Sequence, residues 1–212
     1  MNVLVVIGHP LAGSFGHALA ASYADAARAA GAEVRVIDLA ERRFPHDPVG
    51  QADLHIGRDG SRDHLDPGIV AMIDDVEWAD HLLIVYPQWW GTYPAALSAF
   101  FDRVFLSGFA FARGSGPISE RLLTGRTARI VMTMDSPGFW HRFVYRTASD
   151  TAISRATLGF TGIRTTGITR LASVRFASAE RRAGWLARTG AQGRADATAR
   201  PRRGARRDAV AA

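Results

Sequence analysis

The stretch Val85-Tyr86-Pro87-Gln88-Trp89-Trp90-Gly91-Thr92-Tyr93-Pro94 sets two adjacent indoles beside a side-chain amide and a glycine, with prolines on both flanks. It follows an apolar run, Leu82-Leu83-Ile84-Val85, and precedes a helical pattern from Ala95 to Phe105. Two neighbouring tryptophans in a tight loop cannot both turn into one core. At least one offers a flat apolar face outward, which suits a planar aromatic ligand. In open α/β sheets, ligands bind at the carboxyl ends of the strands, where this loop would lie.

A second stretch could bind an anion. Gly8-His9-Pro10-Leu11-Ala12-Gly13-Ser14-Phe15-Gly16-His17 joins a first apolar run to a helical pattern. Free N–H groups at a helix start form a ready phosphate site. Gly13, Ser14 and Gly16 keep the wall low. The Ser14 hydroxyl can donate to a phosphate as well as cap the helix. His9 can donate a hydrogen bond, as a cation if a phosphate raises its pKa. The bland alternative is an ordinary capped helix. No G-x-x-x-x-G-K-[ST] occurs, and no G-x-G-x-x-G follows the first run, which argues against a nucleoside-triphosphatase loop and a dinucleotide-binding site of that type.

The elements that must position these loops alternate. Strands are read at Val3 to Ile7, Glu33 to Leu39, His81 to Tyr86, Thr127 to Met134 and Thr165 to Leu171. Helices are read from Ser14 to Ala30, with Gly31 as the stop, then Pro67 to Ala79 and Pro94 to Phe105. Two more follow, Trp140 to Gly159 and Ser178 to Arg188. The alternation implies a three-layer α/β fold, a five-stranded parallel sheet between helices, in strand order 2-1-3-4-5. Ala40 to Asp66 is too long for an ordinary connection and suggests a functional or contact surface. Leu106 to Ser119 reads as a loop or small hairpin.

Composition bounds the function. The chain of 212 residues, 47% hydrophobic and 22% charged, suits one soluble domain. It has no cysteine, which excludes disulfides, zinc–thiolate sites and thiol nucleophiles. The first residues run straight into a strand without a basic leader, so a cytoplasmic protein is expected. From Ala187 onward seven arginines face two aspartates, which accounts for five of the six net positive charges. The body is near neutral, and no nucleic-acid partner is expected for it. Residues 191–212, rich in Ala, Arg and Gly, read as a disordered, solvated tail after a domain spanning 1–190, with weak contact to RNA or an anionic surface as the functional alternative.

Three ordered blocks carry a family resemblance. Gly8-His9-Pro10 with Ser14-Phe15 and Ala18-Leu19 form the first. Tyr86 to Gly91, Pro94-Ala95 and Phe101-Asp102-Arg103-Val104-Phe105 form the second. Gly108 to Phe111, Leu122 to Gly125 and Thr133-Met134-Asp135 form the third. Together they resemble the flavodoxin-like NAD(P)H:quinone oxidoreductases of the flavodoxin-2 type, over about residues 2 to 190. The resemblance implies a flavin, FMN or FAD, at the ends of strands one, three and four. Its phosphate would meet His9, Ser14, Phe15, Gly16 and Ala18. Its ring would lie on Pro87, Gln88, Trp89, Trp90 and Gly91, bordered by Thr133 and Asp135. The implied reaction is ping-pong: NAD(P)H passes hydride to flavin N5, then a quinone or similar acceptor takes two electrons in its place. A homodimer is implied too, with the Phe105 to Phe111 aromatics and the Ala40 to Asp66 excursion suited to its interface. Alternatives are a flavoprotein regulatory subunit of a potassium-efflux transporter in the membrane, and an electron carrier.

The sequence departs from that family in places. Gly16 stands where many relatives have Asn. The fourth-strand loop reads Thr133-Met134-Asp135-Ser136-Pro137-Gly138, and no Tyr/His relay pair sits at matching spacing. His141 and Tyr145, one helical turn apart, are candidates for contact with substrate or flavin O2; His141 could equally be an exposed helix residue. Trp78 and Trp185 read as packing, and Asp102-Arg103 as a surface or intersubunit ion pair. His46, His55 and His64 lie among acids but show no recognised ligand spacing, so no metal is assigned.

Overall fold

The computed structural model describes residues 1–57, 59–114 and 118–199. Five parallel strands form its sheet: β1 (Asn2–Ile7), β2 (Glu33–Asp38), β3 (His81–Pro87), β6 (Thr127–Thr133) and β7 (Arg164–Leu171), ordered β2-β1-β3-β6-β7. This is the order anticipated from the alternation. β4 (Phe111–Ala112) and β5 (Glu120–Arg121) pair antiparallel as the small hairpin within the segment before β6.

β1 and β3 are buried because both faces are covered. Along β1 the side chains alternate between two cores. Val3, Val5 and Ile7 pack with α1 (Phe15–Ala29) and α6 (Ala179–Thr198). Leu4 and Val6 pack with α2 (Pro67–Trp78) and α3 (Ala95–Val104). Gly8 lets the first loop sit against α3, since a Cβ there would fall 2.9 Å from Leu97. Asp66 caps α2 by accepting from the Gly68 N–H at 2.8 Å, and Pro67 occupies its first turn.

Three expectations need correction. The single helix anticipated from Trp140 to Gly159 is broken into α4 (Gly138–Phe143), α5 (Ala148–Thr151) and a π-helical segment (Ala152–Gly159). Arg146 and Thr147 take left-handed φ of 49° and 54°, which turns the chain between the pieces.

The last helix does not stop at Arg188 but continues through Thr198, so residues 191–198 are helical rather than a disordered tail. Two causes are visible. Gly190 and Gly193 allow close approach to α1, a Cβ at Gly193 falling 2.3 Å from the Tyr23 carbonyl oxygen. Asp196 is buried, and both its oxygens accept from the Arg129 guanidinium, at 2.5 and 2.8 Å. The remainder of the expected tail, 200–212, lies outside the described residues.

Asp102 and Arg103 form no ion pair with each other among the described residues, because neighbours on a helix point about 100° apart. Arg103 is buried and donates through Nη1 to the Asp53 carbonyl at 3.0 Å, which ties α3 to the 40–66 excursion. Arg62 pins the same excursion to α2 through Asp74 and Glu77. Phe105 and Phe109 are buried in the chain's own core, and Phe111 packs partly buried against it. Trp78 and Trp185 are partly buried packing residues, as anticipated.

Candidate functional site

Parallel strands bring the 8–17 loop, the 88–94 loop and the segment after β6 to one edge of the sheet. β1, β3 and β6 are neighbours in register, and their carboxyl ends lie side by side. The His9 and Trp89 rings meet edge to face at 5.9 Å, joining the first two loops directly.

The β3 loop is a two-residue turn. The Trp89 and Thr92 backbones exchange hydrogen bonds of 3.1 and 2.9 Å, and the residues between them, Trp90 and Gly91, have φ of 53° and 76°. Positive φ at both centres marks a type I′ turn. Such a turn favours Asn-Gly; tryptophan at its first centre costs about 1 kcal/mol. Trp90 is 98% exposed, so no side-chain burial among the described residues offsets that cost. Its indole faces outward, as two adjacent tryptophans required. Among the described residues, the Trp90 and Gly91 N–H groups have no acceptor.

Gln88 anchors the loop. Its N–H donates to the Thr133 carbonyl at 2.7 Å. Its Nε2 donates to His141 Nδ1 at 2.7 Å, and its Oε1 accepts from Ser136 Oγ at 3.4 Å. His141 is therefore buried, 1% exposed, and not an exposed helix residue. Because Nδ1 accepts, the ring proton sits on Nε2 and is donated to Asp150 Oδ2 at 3.3 Å. Arg170 Nε donates to the same oxygen. In an unbroken helix His141 and Asp150 would be about 13 Å apart along the axis; the left-handed break brings them together. Tyr145 lies against the backbone of Gly91, where a Cβ would come within 3.1 Å of its ring.

At the first loop, Ser14 occupies the N-cap position of α1 but its side chain caps no helix N–H. Its Oγ lies 2.7 Å from His17 Nδ1, and His17 Nε2 lies 3.0 Å from Asp38 Oδ2. His9 Nδ1 accepts from the Leu11 N–H at 3.0 Å, so its Nε2 is the ring's available donor. Burial holds the His9 pKa down. The Phe15 ring turns toward Trp185, at 6.1 Å, so what Phe15 can offer a ligand is its backbone. Gly16 is buried, and Ala18 is exposed one position beyond His17.

Thr133 is buried with its carbonyl taken by Gln88, and the exposed Asp135 accepts from the Arg175 N–H at 3.0 Å. The structure thus brings every anticipated site residue to one sheet edge, while the Phe15 ring and the Asp135 carboxylate already have internal partners. Sequence reasoning missed His17, Asp38, Ser136, Asp150 and Arg170. His17, three residues after Ser14 on one helix face, was the one with a local signal.

An open parallel sheet with convergent loops at its carboxyl edge is a ligand-binding α/β architecture. Residues 1–192 match the model of the flavodoxin-2 family, described as having a flavodoxin-like fold, and the chain belongs to that family. An uncharacterized NAD(P)H oxidoreductase of Haemophilus influenzae is 31% identical over 142 residues, 64% of this chain and 65% of that protein. The chain matches somewhat less than two thirds of the length of the curated relatives. The crystal structure of Smu.1420 from Streptococcus mutans superposes with a TM-score of 0.72 at 27% identity, covering 92% of this chain and all of that one. The NAD(P)H:quinone oxidoreductase of Methanothermobacter marburgensis shares the fold, with a TM-score of 0.74 at 20% identity over 92% of this chain and 98% of that one.

Proposed function

We propose that the chain is a flavin-dependent NAD(P)H oxidoreductase that reduces quinones or similar small acceptors. The observation that carries this is Trp90, fully exposed in a left-handed conformation at the ligand edge of the sheet. A strained, solvated indole beside two free N–H groups suits a planar ring with a polar edge. The family membership and the names of the relatives support the same reading.

When bound, the flavin supplies two-electron chemistry between NAD(P)H and the acceptor. The protein's part is positioning. His9 through Nε2–H, Ser14 and the α1 N-terminus at Phe15 and Gly16 would hold the phosphate, with Ala18 beside them. Pro87, Gln88, Trp89, Trp90 and Gly91 would hold the ring, with Thr133 and Asp135 at its border. The Trp90 and Gly91 N–H groups are donors suited to the ring's polar edge and to negative charge developing there. His141 acts through Gln88, and Tyr145 through Gly91. Both FMN and FAD suit these contacts.

Water must be kept from the reacting faces. Trp89, Trp90, Phe139, Trp140, Phe143 and Val144 are all exposed, on the β3 loop and the segment after β6. An apolar group of this kind marks an association surface. We assign it to a homodimer whose partner covers the site, in the cytoplasm where NAD(P)H is supplied.

The test is an absorbance spectrum of the purified protein followed by anaerobic NADPH. Visible flavin bands should bleach and then return with a quinone. A protein that stays colourless after reconstitution with either flavin overturns the reading.

A further inference from the structure

Ser14 is linked to His17 and Asp38 in a chain whose last two members the redox reading leaves unused. Its links are 2.7 and 3.0 Å, and the His17 and Asp38 side chains are only 17% and 16% exposed. Asp38 ends β2, and its other oxygen accepts from the Ala40 N–H at 2.9 Å, which fixes the carboxylate.

Counting donors decides what the chain can do. A carboxylate only accepts, so His17 Nε2 must carry a proton. In the neutral ring Nδ1 is then a bare acceptor, and the single Ser14 proton is donated to it. A hydroxyl so committed turns lone pairs, not a donor, toward any anion before α1. A proton added to His17 reverses the bond: Nδ1–H donates to Ser14 Oγ, and the hydroxyl proton is released for a phosphate oxygen.

We propose that this chain couples capture of a phosphate-bearing flavin to uptake of one proton at His17, with Ser14 as the reversible donor. The coupling rests on the flavin reading above and adds a pH dependence to it. The titratable groups around His17 are Asp38 from the β2 end and His9 from the first loop, whose ring is 6.1 Å away. An incoming phosphate dianion favours an imidazolium at His17. Among the described residues His9 has no carboxylate within bonding distance, its Nδ1 is occupied by Leu11, and burial disfavours its charge. The proton therefore goes to His17, which acts as a positioning residue.

Titration calorimetry of the flavin-free protein with FMN tests this. At pH 8 free FMN is already a dianion and imidazoles are ordinarily neutral. Buffers of different ionisation enthalpy should report uptake approaching one proton per FMN. FMN affinity should fall up to tenfold per pH unit on the alkaline side. Riboflavin, which lacks the phosphate, should bind without uptake. His17→Gln should bind FMN more weakly, with the uptake lost and the pH profile flat. FMN binding without uptake, equal uptake with riboflavin, or a wild-type profile in His17→Gln would each overturn the coupling. If FMN binds, and bleaches with NADPH, but takes up no proton, only the coupling fails. If neither FMN nor FAD binds, both readings fail.

Discussion

Gln88 Nε2 donates to His141 Nδ1 across 2.7 Å, joining a loop on β3 to a helix that follows β6. Behind His141 stands the buried Asp150, held in turn by Arg170 at the end of β7. Three strand ends are thus tied into the orientation of one amide.

Removing that tie should be felt at the ring and not at the phosphate. His141→Leu leaves the Gln88 amide and the Asp150 carboxylate each short of a partner in a buried place. We expect a loss of about 2 kcal/mol in urea denaturation. Affinity should drop by the same factor for FMN and for riboflavin, as read by fluorescence quenching. A defect confined to FMN would count against this role.

The β3 turn separates stability from function. Trp90→Gly relieves left-handed strain while gaining unfolded-state freedom, so stability should stay within about 1 kcal/mol of the parent. Quinone turnover with NAD(P)H should nevertheless fall at least about tenfold, the equivalent of about 1.4 kcal/mol of lost ring contact.

Gly91→Ala should instead destabilise by about 2 kcal/mol, from its φ of 76° and the Tyr145 ring 3.1 Å from the new Cβ. Adding Tyr145→Ala should recover part of that loss, which a double-mutant cycle in thermal denaturation would measure.

On the opposite side of the sheet from α2 and α3, the α1–α6 contact should tolerate no Cβ at Gly193. Backbone rather than a flexible side chain stands 2.3 Å away, so Gly193→Ala must push the helices apart. A cost of about 2–3 kcal/mol is expected, and Gly184→Ala, where open space surrounds the Cβ, should cost nothing or stabilise.

Acid should act through Asp196. Burial alone would raise its pKa, but the hydrogen bonds from Arg129 and the His81 ring 3.4 Å away outweigh that and hold the carboxyl well below the usual range. A depressed folded-state pKa contributes stability above the unfolded value, near pH 4, that is lost as pH falls toward the folded one. Asp196→Asn should therefore cost about 3 kcal/mol at neutral pH and progressively less in acid. Equal losses at pH 7 and pH 3 would show that the ion pair is not the source.

Strand order, the outward indole and the two loops at the carboxyl edge of the sheet were legible in the sequence because each rests on local pattern: apolar runs of strand length, alternation with helices, and residue types with one conformational use. The end of α6 was not. Asp196 and its neighbouring arginines read as a charged tail, and only the approach of Gly190 and Gly193 to α1 brings Asp196 onto Arg129, Tyr23 and His81. The interior of the site was hidden for the same reason. His141 and Asp150 meet because two residues between them turn left-handed, and Ser14 meets Asp38 through His17 because β1 and β2 lie side by side. Local preference selects strands, helices and turns one segment at a time. Which polar groups share a proton depends on distances between segments, and those exist only once the sheet has closed.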